Sequence, residues 1–413
     1  MKNNIITGTI LILSLTSAAQ NELDNYLITA AGNNPGLQAK FNEYMAALEK
    51  LPQAGSLPDP KLAFGYFIQP VETRVGPQQA RISVSQMFPW FGTLGAGKDV
   101  ATEMAKAKFE LFEDAKSRLY YDVKSTWYNL YFTQRAIDIT RENIDILNTF
   151  QKLALVKIEA GKGSAVDELR VEMEILDMEN QLYLLLDKLN SQKIAFNNLL
   201  NVDESREVVI PDLLMTDQLN PDRRALLDSI RMNNHQILSL EFQQASYEYQ
   251  QIVARKMGKP EFTVGFDYIF IGKSSNGMTP PDESGRDAVI LPMVGISIPL
   301  YRKKYTSMIK EAVYMQEAAH NKKIDKMNIL ESAYEQANTD YQDSKRRLDL
   351  HNKQLELAQK ALRILESEYA TNVKNFEEIL RMERQVLMHS LELEKSRSDL
   401  NASIAFINYL MGN

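Results

Sequence analysis

Gly92-Thr93-Leu94-Gly95-Ala96-Gly97-Lys98 comes within one residue of a phosphate-binding loop. That loop needs Ser or Thr directly after its lysine to hold Mg²⁺, and Asp99 stands there instead. The segment is read as a flexible exit from a strand into a helix. Cysteine is absent and only 4 histidines occur, which leaves little material for a thiol or metal-dependent site. The 17 methionines are scattered, with Met173, Met178, Met315, Met327 and Met382 at helical spacing. That is how gap-filling methionines in helix cores are distributed, and it is weak support for a metal pathway. No nucleophile–base pair is legible. The expectation is a chain that is not an enzyme, with no catalytic residue, cofactor or resident metal. A net charge of −7 with both signs interspersed argues against a nucleic-acid partner. What remains is two turns with capping chemistry. Gly161 suits the left-handed residue that ends a helix, and Asn372 is the usual substitute. Ser164 and Asn375 are placed to cap the next helix, with Asp167 and Glu378 three residues on.

Those turns recur because the chain is one unit written twice. Asn33-Asn34-Pro35-Gly36-Leu37 corresponds to Asn233-Asn234-His235-Gln236-Ile237 at an offset of 200. Phe88-Pro89-Trp90-Phe91 corresponds to Ile298-Pro299-Leu300-Tyr301, and Ile194 to Leu200 corresponds to Ile404 to Leu410, both at 210. Matches in one order with one change of offset indicate duplication. The expected organisation is a secretory signal over residues 1–19, a first repeat over 20–200, a connector over 201–221 and a second repeat over 222–413. Lys2, the apolar run Ile5 to Leu15 and Ser17-Ala18-Ala19 make the signal.

Each repeat reads as a helix, a β-hairpin (61–88, then 262–298), a very long helix (about 93–160 and 303–370) and a further helix (about 165–200 and 375–411). Strands are expected over about 61–69, 80–88, 262–270 and 288–298, with Pro292 forcing a bulge or a late start. Met327, Tyr334, Tyr341, Leu348, Leu355, Leu362 and Tyr369 recur every seven residues, as do Val123, Leu130, Ile137 and Ile144. Such a repeat keeps one seam against a neighbouring helix over many turns. A helix of about 68 residues runs ~100 Å, and the two shorter helices of a repeat together reach the same length. The fold class is therefore mainly α with a small β part.

The strands alternate large apolar residues (Leu62, Phe64, Tyr66; Phe262, Val264, Phe266) with small or polar ones (Ala63, Gly65; Thr263, Gly265, Asp267). That dyad suits lipid outside and a polar lumen inside. Four strands are too few to close, and open edges are not tolerated in lipid, so several chains must share one barrel. Three chains would give about twelve strands and a diameter of roughly 24 Å. Phe88, Trp90, Phe91 and Tyr301, where second strands meet helices, suit a membrane-interface girdle. In such a tube both turns lie at the end far from the barrel. Asp167, Lys374, Glu377, Glu378 and Arg381 are then candidates for charge pairs that close the pore.

Taken in order, several marks resemble the TolC-like outer-membrane efflux family: Asn34-Pro35, Leu57-Pro58-Asp59-Pro60, Phe88-Pro89-Trp90-Phe91-Gly92 and the two turns. The resemblance covers nearly all the chain after the signal. It implies a homotrimer with a 12-stranded transmembrane β-barrel and a long periplasmic α-barrel in the outer membrane of a Gram-negative-type bacterium. It implies work with a periplasmic adaptor (membrane fusion) protein and an inner-membrane pump, exporting drugs or metal ions. By the same resemblance the turns dock the adaptor, which assigns Gly161, Ser164, Val166, Asn372, Asn375 and Phe376 to that surface. Many members carry a lipidated cysteine; this sequence has none, so no lipid anchor is expected. The alternatives are a secretion conduit for proteins and a coiled-coil envelope protein without a pore.

Overall fold

A computed structural model describes residues 22–161, 163–219, 222–275, 277, 280–370 and 376–413. The signal expected over 1–19 and the turn residues Asn372, Lys374 and Asn375 lie outside the described residues. The first repeat holds α1 (22–33), α2 (Pro35–Leu48), α3 (Lys50–Gly55), β1 (Lys61–Thr73), β2 (Gly76–Phe88), α4 (Thr93–Glu159) and α5 (Ala165–Leu200). The second holds α6 (Arg223–Asn233), α7 (His235–Met257), β3 (Glu261–Ile271), β4 (Ala288–Ser297), α8 (Arg302–Ala370) and α9 (Phe376–Leu410). The chain is thus mainly α with one four-stranded sheet.

The opening helix of each repeat is broken where the sequence suggested one continuous run. Pro35 explains the first break, since it cannot donate an N–H into a helix interior. Asn34 accepts from the Leu37 N–H at 3.1 Å through its side-chain oxygen and donates to the Leu199 carbonyl at 3.1 Å. Asn234 breaks the second without a proline, its backbone extended, and donates to the Leu410 carbonyl at 2.9 Å. Each kink therefore holds the end of its own repeat's last helix, a carbonyl that no helical N–H can satisfy.

Two compact units cut across the two repeats. One comprises Met1–Lys40, Phe112–His235 and Lys326–Asn413; the other comprises Phe41–Leu111 and Gln236–Asp325. In the first unit, Val123, Leu130 and Ile137 are fully buried together with Phe196 and Leu200 of α5. Along α8, Tyr334, Tyr341, Leu362 and Tyr369 are buried, while Met327, Leu348 and Leu355 are half-buried, so the heptad seam is a packed one. The connector is pinned to this unit. Val208 and Leu214 enter its core, the Trp127 indole donates to the Val209 carbonyl at 3.1 Å, and the Tyr26 hydroxyl accepts from the Val209 N–H at 2.9 Å.

In the second unit, the helices pack through small residues. Ser239 and Ser246 of α7 donate to the Ala107 and Val100 carbonyls of α4 at 3.0 and 3.1 Å. Buried Ala96, Ala105, Ala107 and Ala254 permit that close approach. The glycine-rich run after Gly92 is not a flexible exit: α4 starts at Thr93 and runs straight through Gly95 and Gly97.

All four strands are antiparallel neighbours in the order β1-β2-β3-β4. The first hairpin is longer than expected, with Arg74-Val75 as its tight turn in place of a loop over 70–79. Pro70 does not stop it, because it falls where the register shifts between Tyr66 and Val71 and no ladder N–H is missed. Leu291-Pro292 forms the bulge expected in β4, between the pairs Gly265–Met293 and Asp267–Ile290. Gly76 has φ +135°, and a Cβ there would sit 1.9 Å from the Gly272 carbonyl oxygen, so only glycine fits.

Candidate functional site

The register sorts the sheet into two chemically distinct faces. One face pairs Leu62 with Val84, Phe64 with Ile82, Ile82 with Tyr268, Val84 with Phe266, and Val264 with Val294. The other pairs Ala63 with Ser83, Gly65 with Arg81, Ser83 with Asp267, and Thr263 with Gly295. On the apolar face nothing covers the large side chains: Leu62, Phe64, Tyr66 and Val294 are 70–74% exposed. On the polar face Asp267 is buried, ion-paired with Arg81, whose Nε also donates to Ser83 Oγ at 3.1 Å. β1 and β4 each pair on one side only, so the sheet ends in two open edges. Exposed apolar surface of this extent has no place in water. Open strand edges have no place in lipid. An apolar-out, polar-in sheet continued by further strands meets both constraints.

At the helix side of this sheet, Phe88 pairs with Phe262, and the Trp90 ring stacks on Phe262 at 6.0 Å. Phe91 lies 6.0 Å from Trp90 and 6.3 Å from Phe262 and is highly exposed, as is Tyr301. Three of the four expected aromatics are thus gathered around Phe262, which the sequence placed only in the strand pattern. At the other end of the strands, Arg74 pairs with Glu283 at 3.1 Å, and Gly285 and Gly272 donate to the Val75 and Pro77 carbonyls at 2.8 Å. The two hairpin loops are therefore joined.

The described tip residues belong to the first unit. Gly161 is left-handed, with φ +65°, and the Ser164 hydroxyl caps α5 by accepting from the Val166 N–H at 3.2 Å. Asp167 lies 4.0 Å from Arg170, and Arg170 reaches across to Glu377 of α9 at 3.0 Å. Farther along, Arg384 of α9 pairs with Glu174 of α5 at 2.5 Å. Glu378 and Arg381 instead pair with each other at 2.5 Å, one turn apart on α9. The Lys157 ammonium sits 3.3 Å from the Tyr369 ring centroid and donates to the Tyr369 carbonyl. Phe376 needs correction as a docking residue. It is buried, 5.3 Å from Tyr369 and 6.3 Å from Phe150, in the core that joins the two hairpins. Val166 is exposed.

Sequence reasoning missed Arg170, Glu174 and Arg384. The duplication carried a signal for them. At the offset of 210, Asp167 corresponds to Glu377 and Glu174 to Arg384. Equivalent positions on two pseudo-symmetric helices face each other, and one of the pairs has opposite charges. It also missed Glu383, buried and bonded to the Asn143 amide at 2.8 Å. Burial, chiefly, and then nearby Glu366 push the Glu383 carboxyl up to about 7.

Among the described residues no helix is long and apolar enough to cross a membrane, and no cluster of three metal-ligating side chains occurs. Residues 27–202 match the family model described as outer membrane efflux protein. Over 230 residues the chain is 23% identical to "Toxin and drug export protein A" of Aggregatibacter actinomycetemcomitans, an alignment covering 54% of this chain. The chain spans about half of that relative's length, 49%. The fold matches the outer membrane protein VceC of Vibrio cholerae with a TM-score of 0.77, over 96% of this chain and 97% of that one, at 14% identity. It matches the MtrE outer membrane channel of Neisseria gonorrhoeae at 0.73, over 95% and 89%, and 14% identity. It matches the CmeC outer membrane channel of Campylobacter jejuni at 0.72, over 95% and 85%, and 13% identity. Residues 27–202 thus resemble outer membrane efflux proteins in sequence, and the chain over nearly its whole length has the fold of these outer membrane channels.

Proposed function

We propose that this chain is the outer-membrane channel of a tripartite efflux system, a passive homotrimeric conduit for small molecules. The observation that carries the reading is the two-faced sheet with both edges open. Three copies would close about twelve strands, with the Ser83, Arg81 and Asp267 face around the lumen. Phe88, Trp90, Phe91 and Tyr301 then meet the outer-membrane lipid. The helices add independent support. Val166, Leu169, Met173, Leu176 and Tyr183 form an exposed apolar stripe on α5, and Leu350, Leu357 and Ile364 form one at heptad spacing on α8. Neither stripe is covered in the single chain, and both suit neighbouring copies in an α-barrel.

Cargo, drugs or metal ions, is received from an inner-membrane pump through a periplasmic adaptor. The adaptor meets the tips at Gly161, Ser164, Val166, Asn372 and Asn375. Asp167, Lys374, Glu377, Glu378 and Arg381 set the closed state, with Arg170 and Arg384 tying α5 to α9. The relative named for toxin as well as drug export favours a second reading, a conduit for proteins. The pump that co-purifies with the channel distinguishes the two. The primary test is mass measurement of the detergent-solubilised protein, followed by planar-bilayer recording. A heat-resistant trimer with discrete conductance steps is expected. A monodisperse monomer stable without detergent, or a trimer that never conducts, would falsify the channel reading.

A further inference from the structure

α4, α8 and α9 of the first unit line a cavity of about 420 Å³ that is half open to solvent. Its walls are mixed in a specific way. Ile139, Ile146, Leu362, Val386 and Leu387 supply apolar surface, and the Glu383 carboxyl borders it. Glu383 is 2% exposed. One of its oxygens accepts from the Asn143 amide at 2.8 Å. The other is buried and has no hydrogen-bond partner among the described residues. Protonation does not cure this. An ionised oxygen lacks a donor there, and a protonated one lacks an acceptor. Buried polar groups in folded chains are nearly always satisfied, so one without a partner beside a cavity points to something that enters.

The electrostatics select the sign of that visitor. The charged groups lining the cavity are Glu142 from α4, Arg363 from α8 and Glu383 from α9, and Glu366 of α8 adds its charge to the field at Glu383. Three carboxylates against one guanidinium favour a cation. Arg363 and Glu142 are both exposed, so water screens their charges, whereas the field of buried Glu383 acts at the cavity wall.

We propose that this cavity binds a small amphipathic monocation, an amidinium or ammonium group on an apolar body, with Glu383 as its counter-ion. The cationic N–H donates to the unpartnered carboxylate oxygen, and the apolar body lies against Ile139, Ile146, Leu362 and Val386. Asn143 keeps the carboxylate oriented from the other oxygen. Binding needs the ionised carboxylate, and Glu383 releases its proton near neutrality, so affinity falls as the medium acidifies. The inference does not rest on conduction: a chain that never forms an open pore could still bind.

The test is isothermal titration calorimetry on the full detergent-solubilised chain with benzamidine, which stays cationic throughout, and with benzamide, its neutral isostere. Benzamidine should bind at least roughly tenfold more tightly than benzamide at pH 8, the scale of a charge-assisted hydrogen bond. Its affinity should fall roughly tenfold between pH 8 and pH 6 as a carboxyl with a value of about 7 takes up its proton. Glu383→Gln should lose the tenfold preference, and Val386→Phe, which keeps the charge but fills the cavity, should lose binding. Helical circular dichroism checks that each variant folds; if Glu383→Gln does not, Val386→Phe and the pH dependence decide. Benzamide binding as well as benzamidine, Glu383→Gln binding benzamidine like the parent, or no binding by the parent overturns the proposal.

Discussion

Replacing Arg170 and Arg384 with alanine removes the two side chains that tie α5 to α9 at the hairpin tips. The Arg170–Glu377 pair is solvent-facing, with side chains 45% and 72% exposed, and belongs at the low end of surface pairs. The Arg384–Glu174 pair is better shielded, because Glu174 is only 13% exposed. Together they contribute about 1–2 kcal/mol per chain, the larger share from Arg384, whose Nε and Nη2 both donate to one Glu174 oxygen. In a trimer that opens as a unit this becomes roughly 3–6 kcal/mol, which shifts an open–closed ratio by at least about a hundredfold. Single-channel recording in 0.1 M and 1 M KCl reads the effect. The double variant should show much higher open probability at low salt. The parent should approach it at high salt, where the screening length falls from about 10 Å to about 3 Å. Arg381→Ala is the control. Its partner Glu378 lies on the same helix, so it should change a local contact of about 0.3–0.5 kcal/mol and leave the link between α5 and α9 intact. Parent-like gating by the double variant at both salts, or Arg381→Ala matching it, would refute the reasoning.

Three further outcomes follow from single positions. Burial that lifts Glu383 to about 7 favours its protonated form in the folded chain, so this group's stabilisation is full below 4.5 and lost as pH rises through 7. Glu383→Gln should therefore raise the melting temperature by several degrees at pH 8 and leave it unchanged at pH 4, a difference on the order of 3 kcal/mol, read by circular dichroism. Gly76→Ala should cost more than about 2 kcal/mol through its left-handed φ and its clash with Gly272, and heat-resistant oligomer on a gel should diminish. Ser275 is exposed in the loop between β3 and β4, and Ser275→Cys should react with an impermeant maleimide on intact cells. Labelling only after outer-membrane rupture would invert the topology.

The sequence by itself determined the duplication, the element order and most helix boundaries. The long helix expected over 93–160 is Thr93–Glu159, and the one expected over 165–200 is Ala165–Leu200. These are local properties. A heptad seam repeats along one helix, a left-handed glycine and a capping serine mark its end, and strand alternation has a period of two. The same locality explains the bulge at Pro292. Other features came only from tertiary structure. The first hairpin runs past Pro70 because a register shift leaves that proline without a ladder bond to miss. α6 and α7 part at Asn234 without a proline, because the Leu410 carbonyl needs the donor that Asn234 supplies. Phe376 reads as a tip residue but packs under the tip, against Phe150 and Tyr369. The charges near the helix tips were legible as a population and not as pairs. Arg170 meets Glu377 across 207 residues of chain, while Glu378 is satisfied one turn away by Arg381. Which of two adjacent carboxylates an arginine reaches depends on how α5 and α9 are rotated about their axes. That rotation is set by every residue of the shared core at once, from Leu147 to Leu380, and no local pattern in the chain encodes it.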